Sequence, residues 1–228
     1  MRRLLVPLAM TTMILSVSVQ AQLKPEVETG SRVPTQPNTL KAEEAGIIRK
    51  HFARCMYQNA KANALKLLAH SDASTVDLPG AGIKKYDQDL DMDDCLGEEV
   101  GGDQFELGMR FTPEMLRDML AEEDYLARHR SAPELAGPAP PLHFTPISTD
   151  KAPSAAQALA EFADCTILRD LAGADALLRT TPGSRKEHDA AAALAPALGA
   201  CLLVGQKFAL KPANIRALIA YAMWARFG

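Results

Sequence analysis

The chain contains one short motif twice. Phe52-Ala53-Arg54-Cys55 recurs as Phe162-Ala163-Asp164-Cys165, 110 positions further on. The same shift, without a gap, places Leu67-Leu68 on Leu177-Leu178. Chance produces single matches of this kind but rarely several in one order, so the sequence predicts a duplicated unit. Two copies make a pseudo-symmetric pair rather than a solenoid, because a solenoid needs at least three repeats for stability.

Each copy also closes with a related segment. The stretch from Phe111 to Arg117 matches the stretch from Leu210 to Arg216 at a shift of 99, so the first copy carries extra residues between its two ends. Proline suits the first helical position, and Pro113 and Pro212 take the same place in the two segments. Each segment is therefore predicted to begin a helix, with the apolar residue two positions before the proline closing a hydrophobic staple.

Both copies are predicted to be helical. Their apolar residues recur at intervals of three and four, which is the spacing of one face of an α-helix. The two stripes include Ile48, Phe52, Met56, Leu67 and Leu68 in the first copy, and Leu159, Phe162, Leu171, Leu177 and Leu178 in the second. No alternation of apolar and polar residues is long enough to favour a sheet. We therefore expect an all-α fold of two helical repeat units, residues 41–130 and 154–228.

Four cysteines are shared equally between the copies, because Cys95 and Cys201 follow the motif cysteines Cys55 and Cys165. Four cysteines allow three pairings. Duplication favours Cys55–Cys95 and Cys165–Cys201, since each unit had to be stable before its partner existed. These bridges span 40 and 36 positions, and loop closure of that length contributes roughly 3–4 kcal/mol each. Redox or metal use is the less favoured alternative, because the chain has no Cys-x-x-Cys.

The segments outside the two units have other compositions. Residues 131–153 contain six prolines. Proline removes backbone donors and stiffens an extended chain, so this segment is predicted to be a rigid linker. Residues 22–40 hold three prolines among polar residues, which predicts a disordered N-terminal tail.

The first 21 residues have the layout of a secretory signal peptide. A basic start at Met1-Arg2-Arg3 precedes an apolar stretch that is short for a membrane span, and Val19-Gln20-Ala21 supplies small residues before a cleavage point. We expect cleavage after Ala21, a periplasmic or secreted location and no stable membrane insertion afterwards. Removing residues 1–21 takes away two arginines and moves the net charge from −3 to −5. Such a protein has no basic excess with which to bind nucleic acid.

One acidic segment resembles a calcium loop. Five oxygen ligands stand at positions 1, 3, 5, 7 and 12 of an EF-hand pattern, namely Asp87, Asp89, Asp91, Asp93 and Glu98. The pattern departs from an EF-hand at Met92, where the sharp turn requires glycine. The favoured alternative is a solvated acidic loop whose last aspartates cap the helix that carries Cys95. Apart from calcium, no cofactor is predicted.

Two further pairs of residues occupy equivalent positions. Arg117 and Arg216 would frame an anion site between the copies, or each lies on the solvent-exposed side of its helix, which is the favoured interpretation. Tyr125 and Trp224 would line a shared groove, although aromatic packing between the copies is the simpler interpretation. These four residues are the candidate binding residues.

Known catalytic motifs are missing from the sequence, and its five histidines occur singly. An enzyme would need a site assembled from distant groups, such as His51 with nearby acids.

The segment Leu116 to Glu122, together with Phe-Ala-x-Cys, resembles a group of uncharacterised exported bacterial proteins over most of residues 45–228. The resemblance implies an envelope location and a repeated, cysteine-paired helical unit, and it implies no activity. We therefore expect a non-catalytic binding or interaction module whose partner is an envelope protein or a small ligand. A calcium-binding protein and a small periplasmic enzyme are the alternatives.

Overall fold

The computed structural model describes residues 40–100, 110–135, 142, 147, 153–202 and 211–228. The predicted signal peptide, its cleavage site, nearly all of the predicted tail and most of the predicted linker lie outside these residues. Residues 39–228 form one compact unit. The predictions for the N-terminal 40 residues and for the linker are therefore not tested by the fold.

The described residues form ten α-helices and no β-strand. The helices are α1 (Ala42–Asn59), α2 (Lys61–Ala69), α3 (Tyr86–Asp89), α4 (Met92–Val100), α5 (Pro113–Arg128), α6 (Pro153–Arg169), α7 (Leu171–Leu178), α8 (Arg185–Ala193), α9 (Ala195–Cys201) and α10 (Pro212–Phe227). A single isolated bridge joins Ser71 to Val76. The all-α class is confirmed for this part of the chain. None of the helices that the structure describes is long and apolar enough to cross a membrane.

Helix bounds follow the two shifts seen in the sequence. A shift of 110 carries α1 onto α6 and α2 onto α7, to within one residue at each end. A shift of 99 carries α5 onto α10 with no difference at either end. Both closing helices begin at their prolines, Pro113 and Pro212. In α5 the Thr112 hydroxyl also accepts a hydrogen bond from the Met115 N–H, which satisfies one of the unpaired donors of the first turn.

Two disulfides close the helical segments. Cys55–Cys95 ties α1 to α4, and Cys165–Cys201 ties α6 to α9, with Cα–Cα distances of 5.7 and 5.8 Å. All four cysteines are therefore paired, and the predicted pairing is confirmed. Each bridge joins residues within one of the two predicted units.

Two apolar cores contain the residues that the repeat predicts. Equivalent pairs of buried side chains are Phe52 and Phe162, Leu67 and Leu177, Leu68 and Leu178, Leu116 and Ile215, and Leu120 and Ile219. Phe111 packs on the first core, where its ring stacks on that of Phe52 at 4.9 Å between centroids. Its counterpart in the predicted staple of the second copy, Leu210, lies outside the described residues. Burial of these side chains supplies the main stabilising free energy of the fold.

The start of α1 lies against the turn between α7 and α8 with no space for side chains. A Cβ atom on Gly46 would fall 1.8 Å from the carbonyl oxygen of Pro182. Across the same contact, a Cβ on Gly183 would fall 2.2 Å from the carbonyl oxygen of Ala42. Gly183 also has φ +75°, a conformation that other residues rarely adopt. Two glycines therefore allow the backbones of the two halves to touch.

Candidate functional site

Helix α5 carries three consecutive acidic residues that are all buried. Glu122, Glu123 and Asp124, here called the acidic triplet, are 7%, 5% and 0% exposed. Burying a carboxylate is costly unless it is paired and hydrogen-bonded. The partners of the triplet therefore determine what this part of the molecule does.

Glu122 receives two cations. The Arg216 guanidinium of α10 binds it in a bidentate manner, with Nε–Oε2 and Nη2–Oε1 distances of 2.7 Å each. Lys50 of α1 donates to the same Oε1 atom. Burial by itself raises the pKa of Glu122, but the hydrogen bonds and charges of Arg216 and Lys50 outweigh it and hold the pKa below its usual value. Glu122 is therefore an anion that joins three elements: α1, α5 and α10.

Arg216 also closes the end of α7. Its guanidinium donates to the backbone carbonyls of Leu177, Leu178 and Thr180, at 3.1, 2.8 and 3.0 Å. The buried Glu187 of α8 adds a contact at 3.3 Å. A cation is favourable at a helix C-terminus, where several carbonyls lack helical partners. One arginine thus satisfies the last carbonyls of α7 and two buried carboxylates.

Arg117 plays a related part in the first half. It donates to the backbone carbonyl of Asp72, shortly after α2, and pairs with Asp118 at 2.7 Å. Its guanidinium lies over the ring of Tyr221, 4.9 Å from the centroid. Arg117 and Arg216 are each 6% exposed, so the prediction that they lie on the solvent-exposed side of their helices is wrong. Both arginines face the neighbouring helix, where acidic, carbonyl and aromatic partners meet them.

Glu123 is the least well-satisfied member of the triplet. It accepts a hydrogen bond from Arg54 Nε at 3.2 Å. Its other oxygen, Oε1, is buried without a hydrogen bond from the described residues, and Lys50 Nζ lies 3.8 Å from it. Burial raises the pKa of Glu123, and the neighbouring Glu122 carboxylate adds to this, against the opposing charges of Lys50 and Arg54. Glu123 is therefore easier to protonate than an exposed glutamate.

Asp124 gathers donors from three helices. Tyr57 of α1 donates to Oδ1 at 2.6 Å, and Trp224 of α10 donates to Oδ2 at 2.9 Å. Arg128 of α5 completes the set, with its Nε 3.0 Å from Oδ2. Burial and the hydrogen bond to Asp124 raise the pKa of Tyr57 to about 12. The polar end of Trp224, one of the candidate binding residues, is thus bound within the protein.

Tyr125 is bound in the same way. Its hydroxyl donates to Asp175 Oδ1 at 2.7 Å, and Arg179 holds the same carboxylate at 2.7 Å. The ring lies in the core of the second half, although Tyr125 belongs to the first. Trp224 of the second half conversely packs against the core of the first. This arrangement agrees with aromatic packing between the two halves, and a ligand-binding role for these residues stays a prediction.

The acidic segment forms two short helices. Asp87 and Asp89 lie on α3, and Asp93 lies in the first turn of α4. Asp89 accepts hydrogen bonds from the backbone N–H groups of Lys84 and Lys85, which lower its pKa, and Asp91 accepts one from Asn59. Among the described residues no group of three or more His, Cys, Asp or Glu side chains has a metal-binding arrangement. The Glu98 side chain lies outside them, so the calcium site stays a prediction.

Sequence reasoning overlooked the acidic triplet. Its signal was three successive carboxylates on a helix whose turns also carry Leu116 and Leu120, since neighbouring helical residues point in different directions and cannot all reach solvent from a packed helix. Lys50 and Glu187 were overlooked as well. Nothing in their surroundings along the chain shows that Lys50 pairs with Glu122 or that Glu187 is buried.

Comparison with known proteins found no relative: no family model, no curated protein and no solved structure matches the chain.

Proposed function

We propose that the chain consists of two homologous, disulfide-closed helical units, residues 41–130 and 154–228, joined by a proline-rich linker at 131–153. Three observations support the proposal. The helix bounds coincide under the sequence shifts, equivalent residues fill the two cores, and each disulfide stays within one unit. Tandem duplication explains all three with a single event.

We further propose that the protein is exported by a signal peptide, residues 1–21, and works in the periplasm or outside the cell. Two disulfides fit an oxidising compartment, because reducing systems keep cytosolic thiols free. Mass spectrometry of the protein recovered from the envelope fraction tests the proposal. We expect a mature N-terminus at Gln22, and a retained Met1 would contradict export by cleavage.

The proposed activity is non-catalytic: the protein is a rigid interaction module that recognises an envelope protein or a small ligand. The buried charge cluster carries this proposal. Glu122 and Asp124 each join several helices. Arg216 donates its hydrogen bonds to acceptors inside the protein, which are Glu122 and backbone carbonyls at the end of α7. Charged groups arranged in this way hold helices in place rather than meet a substrate. An enzyme that uses His51 is the alternative, and His51 lies on the exposed side of α1.

The outer face of α1 is the surface we propose for recognition. Exposed residues recur there at intervals of three and four, which places them on one side of the helix: Glu44, Ile47, His51, Arg54 and Gln58. Ile47 and Leu40, just before the helix, are 40% and 41% exposed, which is unusual among the large apolar residues described. Gly46 and Lys50, on an adjacent side of α1, hold the helix against Pro182 and Glu122, so the outer face is kept in a defined position. An exposed isoleucine among polar side chains of both charges suits the apolar face of an amphipathic partner helix.

Site-specific photo-crosslinking in intact cells tests this surface. A photoreactive residue replaces Ile47, and a matched control replaces Arg185, whose side chain is 94% exposed on α8. We expect a discrete adduct from position 47. An excess of unlabelled wild-type protein should abolish the adduct, because it competes for the same partner. An equal excess of the unlabelled Ile47→Asp variant should leave the adduct in place. No adduct at position 47, or an equal adduct at position 185, would contradict the proposal.

A further inference from the structure

Helices α5 and α10 form the most extensive helix–helix contact among the described elements, and two of its contacts are reciprocal. Arg216 of α10 binds Glu122 of α5, and Arg117 of α5 lies over Tyr221 of α10. A shift of 99 carries position 117 onto 216 and position 122 onto 221. The arginine position of each half therefore contacts the equivalent of residue 122 in the other half, and this contact occurs in both directions.

The aromatic residues repeat this reciprocity. Tyr125 and Trp224 are equivalent under the same shift. Tyr125 enters the core of the second half, and Trp224 packs against the core of the first. Each closing helix thus packs one aromatic side chain against the core of the other half.

The surroundings of the two contacts also correspond. Lys50 stands beside Glu122, and its equivalent at a shift of 110, Ala160, packs with Tyr221. Ala73 belongs to the same small cluster as Ala160, and its equivalent, Gly183, lies in the turn that touches α1. The first half therefore has the Lys50–Glu122 ion pair at this position, and the second half has the packed side chains of Ala160 and Tyr221 at the equivalent position.

We infer that the surface shared by α5 and α10 is an isologous interface within one chain, and that the partner which each half fits is a second copy of its own kind. In an isologous interface residue i contacts residue j while j contacts i, which requires a two-fold rotation between the partners. A head-to-tail stack brings two different surfaces together and produces no such exchange. The inference rests on the proposed duplication, and it is independent of what the outer face of α1 recognises.

A permuted chain tests the two-fold relation. Under a two-fold rotation, the distance from the end of the first half to the start of the second equals the distance from the end of the second to the start of the first. A chain that keeps residues 1–40 in front, followed by 153–228, 131–152 and 41–130, should therefore fold with the same linker except for Pro153, which stays with α6 because it begins that helix. We expect the pairs Cys55–Cys95 and Cys165–Cys201 and a Tm within about 10 °C of the native order, since the moved linker loses the hydrogen bonds that Leu142 and Ile147 donate to Asp164 and Asp72. The native-order chain is prepared alongside as a control. Scrambled disulfides in the permuted chain, when the control has the correct pairs, would contradict the inference.

A transplant tests the same relation without changing the order of the chain. Lys50→Ala with Glu122→Tyr gives the first half the apolar arrangement of the second, so that Arg216 faces a tyrosine as Arg117 does and keeps one carboxylate, Glu187, as Arg117 keeps Asp118. The control is Lys50→Ala with Glu122→Leu, which removes the same charges without supplying the aromatic face. We expect the transplant to melt within about 3 °C of wild type and the control about 5 °C or more below it. A transplant that melts no higher than the control overturns the inference. These measurements of stability and disulfide pairing do not depend on partner capture, so failure of the recognition proposal is detected separately.

Discussion

Gly46 of α1 lies directly against Pro182 in the turn after α7, so close that a Cβ atom would sit 1.8 Å from the proline carbonyl oxygen. The two residues are 136 positions apart in the chain. This contact brings the first half against the second with backbone touching backbone. It is one of the places where the fold tolerates no change of side chain.

Gly46→Ala is therefore expected to destabilise the protein by roughly 2–4 kcal/mol, because backbone has to move to admit the methyl group. Gly183→Ala should cost a similar amount, since it adds an unfavourable φ to a clash with Ala42. Matched controls are Gly97→Ala in α4 and Gly199→Ala in α9, where a Cβ meets nothing within 4 Å. Each control should stabilise its helix by about 0.5–1 kcal/mol. Urea denaturation checks all four, and equal effects at buried and open glycines would refute the close contact.

Arg216→Ala should be among the most destabilising substitutions in the chain. It leaves the Glu122 carboxylate buried without its bidentate partner and unpairs the carbonyls that end α7, for a loss of about 3–5 kcal/mol. Arg216→Lys should recover little, because an ammonium group cannot replace the planar fork. The control is Arg185→Ala, which breaks an exposed pair at 3.9 Å with Asp189 and should change stability by less than about 0.5 kcal/mol. Similar losses at both arginines would show that the buried cluster is not structural.

Sequence patterns predicted the elements of the fold better than its charged interior. The helix starts at Pro113 and Pro212 and both disulfides follow from local spacing and from the proposed duplication. The burial of Arg216 does not, because its partner Glu122 is 94 positions away and an arginine alone looks like any exposed cation. The acidic segment, predicted to be a loop, contains the short helix α3, and the hydrogen bonds that Asp89 accepts there come from the nearby Lys84 and Lys85 N–H groups.

Asp118 should make the protein more stable in mild acid than at neutral pH. Burial raises the pKa of this carboxyl to about 6, against the opposing charge of Arg117. Because the folded-state pKa lies above the unfolded value of 3.8, the folded state binds more protons between about pH 4 and 6, and stability rises as pH falls through that window. The increase is at most about 3 kcal/mol, since one pKa unit corresponds to about 1.4 kcal/mol.

The variant Asp118→Asn isolates this effect. It removes the titrating group, so the free energy of unfolding, measured in urea at pH 7, 6, 5 and 4, should lose most of its rise between pH 6 and 4. Below pH 4 both proteins should weaken, because the pKa values of Glu122 and Asp72 are lowered in the folded state and their stabilising contribution is lost in acid. An unchanged pH profile in the variant would assign the rise to another group, such as Glu123.

Calcium separates the recognition proposal from the calcium-binding alternative. Asp89 already accepts two backbone hydrogen bonds, and Asp91 accepts one from Asn59, so we expect the same Tm in millimolar calcium and in chelator. Asp93→Asn should leave both values unchanged. A calcium-dependent rise in Tm that Asp93→Asn abolishes would instead favour binding by the segment from Asp87 to Glu98.

We propose two copies of one helical unit, each closed by its own disulfide outside the cytoplasm. Non-reducing peptide mapping of the protein purified from the cell envelope examines the pairing and the export together. We expect linked peptides containing Cys55 with Cys95 and Cys165 with Cys201, in a chain that begins at Gln22. A bridge between the halves, such as Cys55 with Cys165, or four free thiols in the envelope protein, would contradict it.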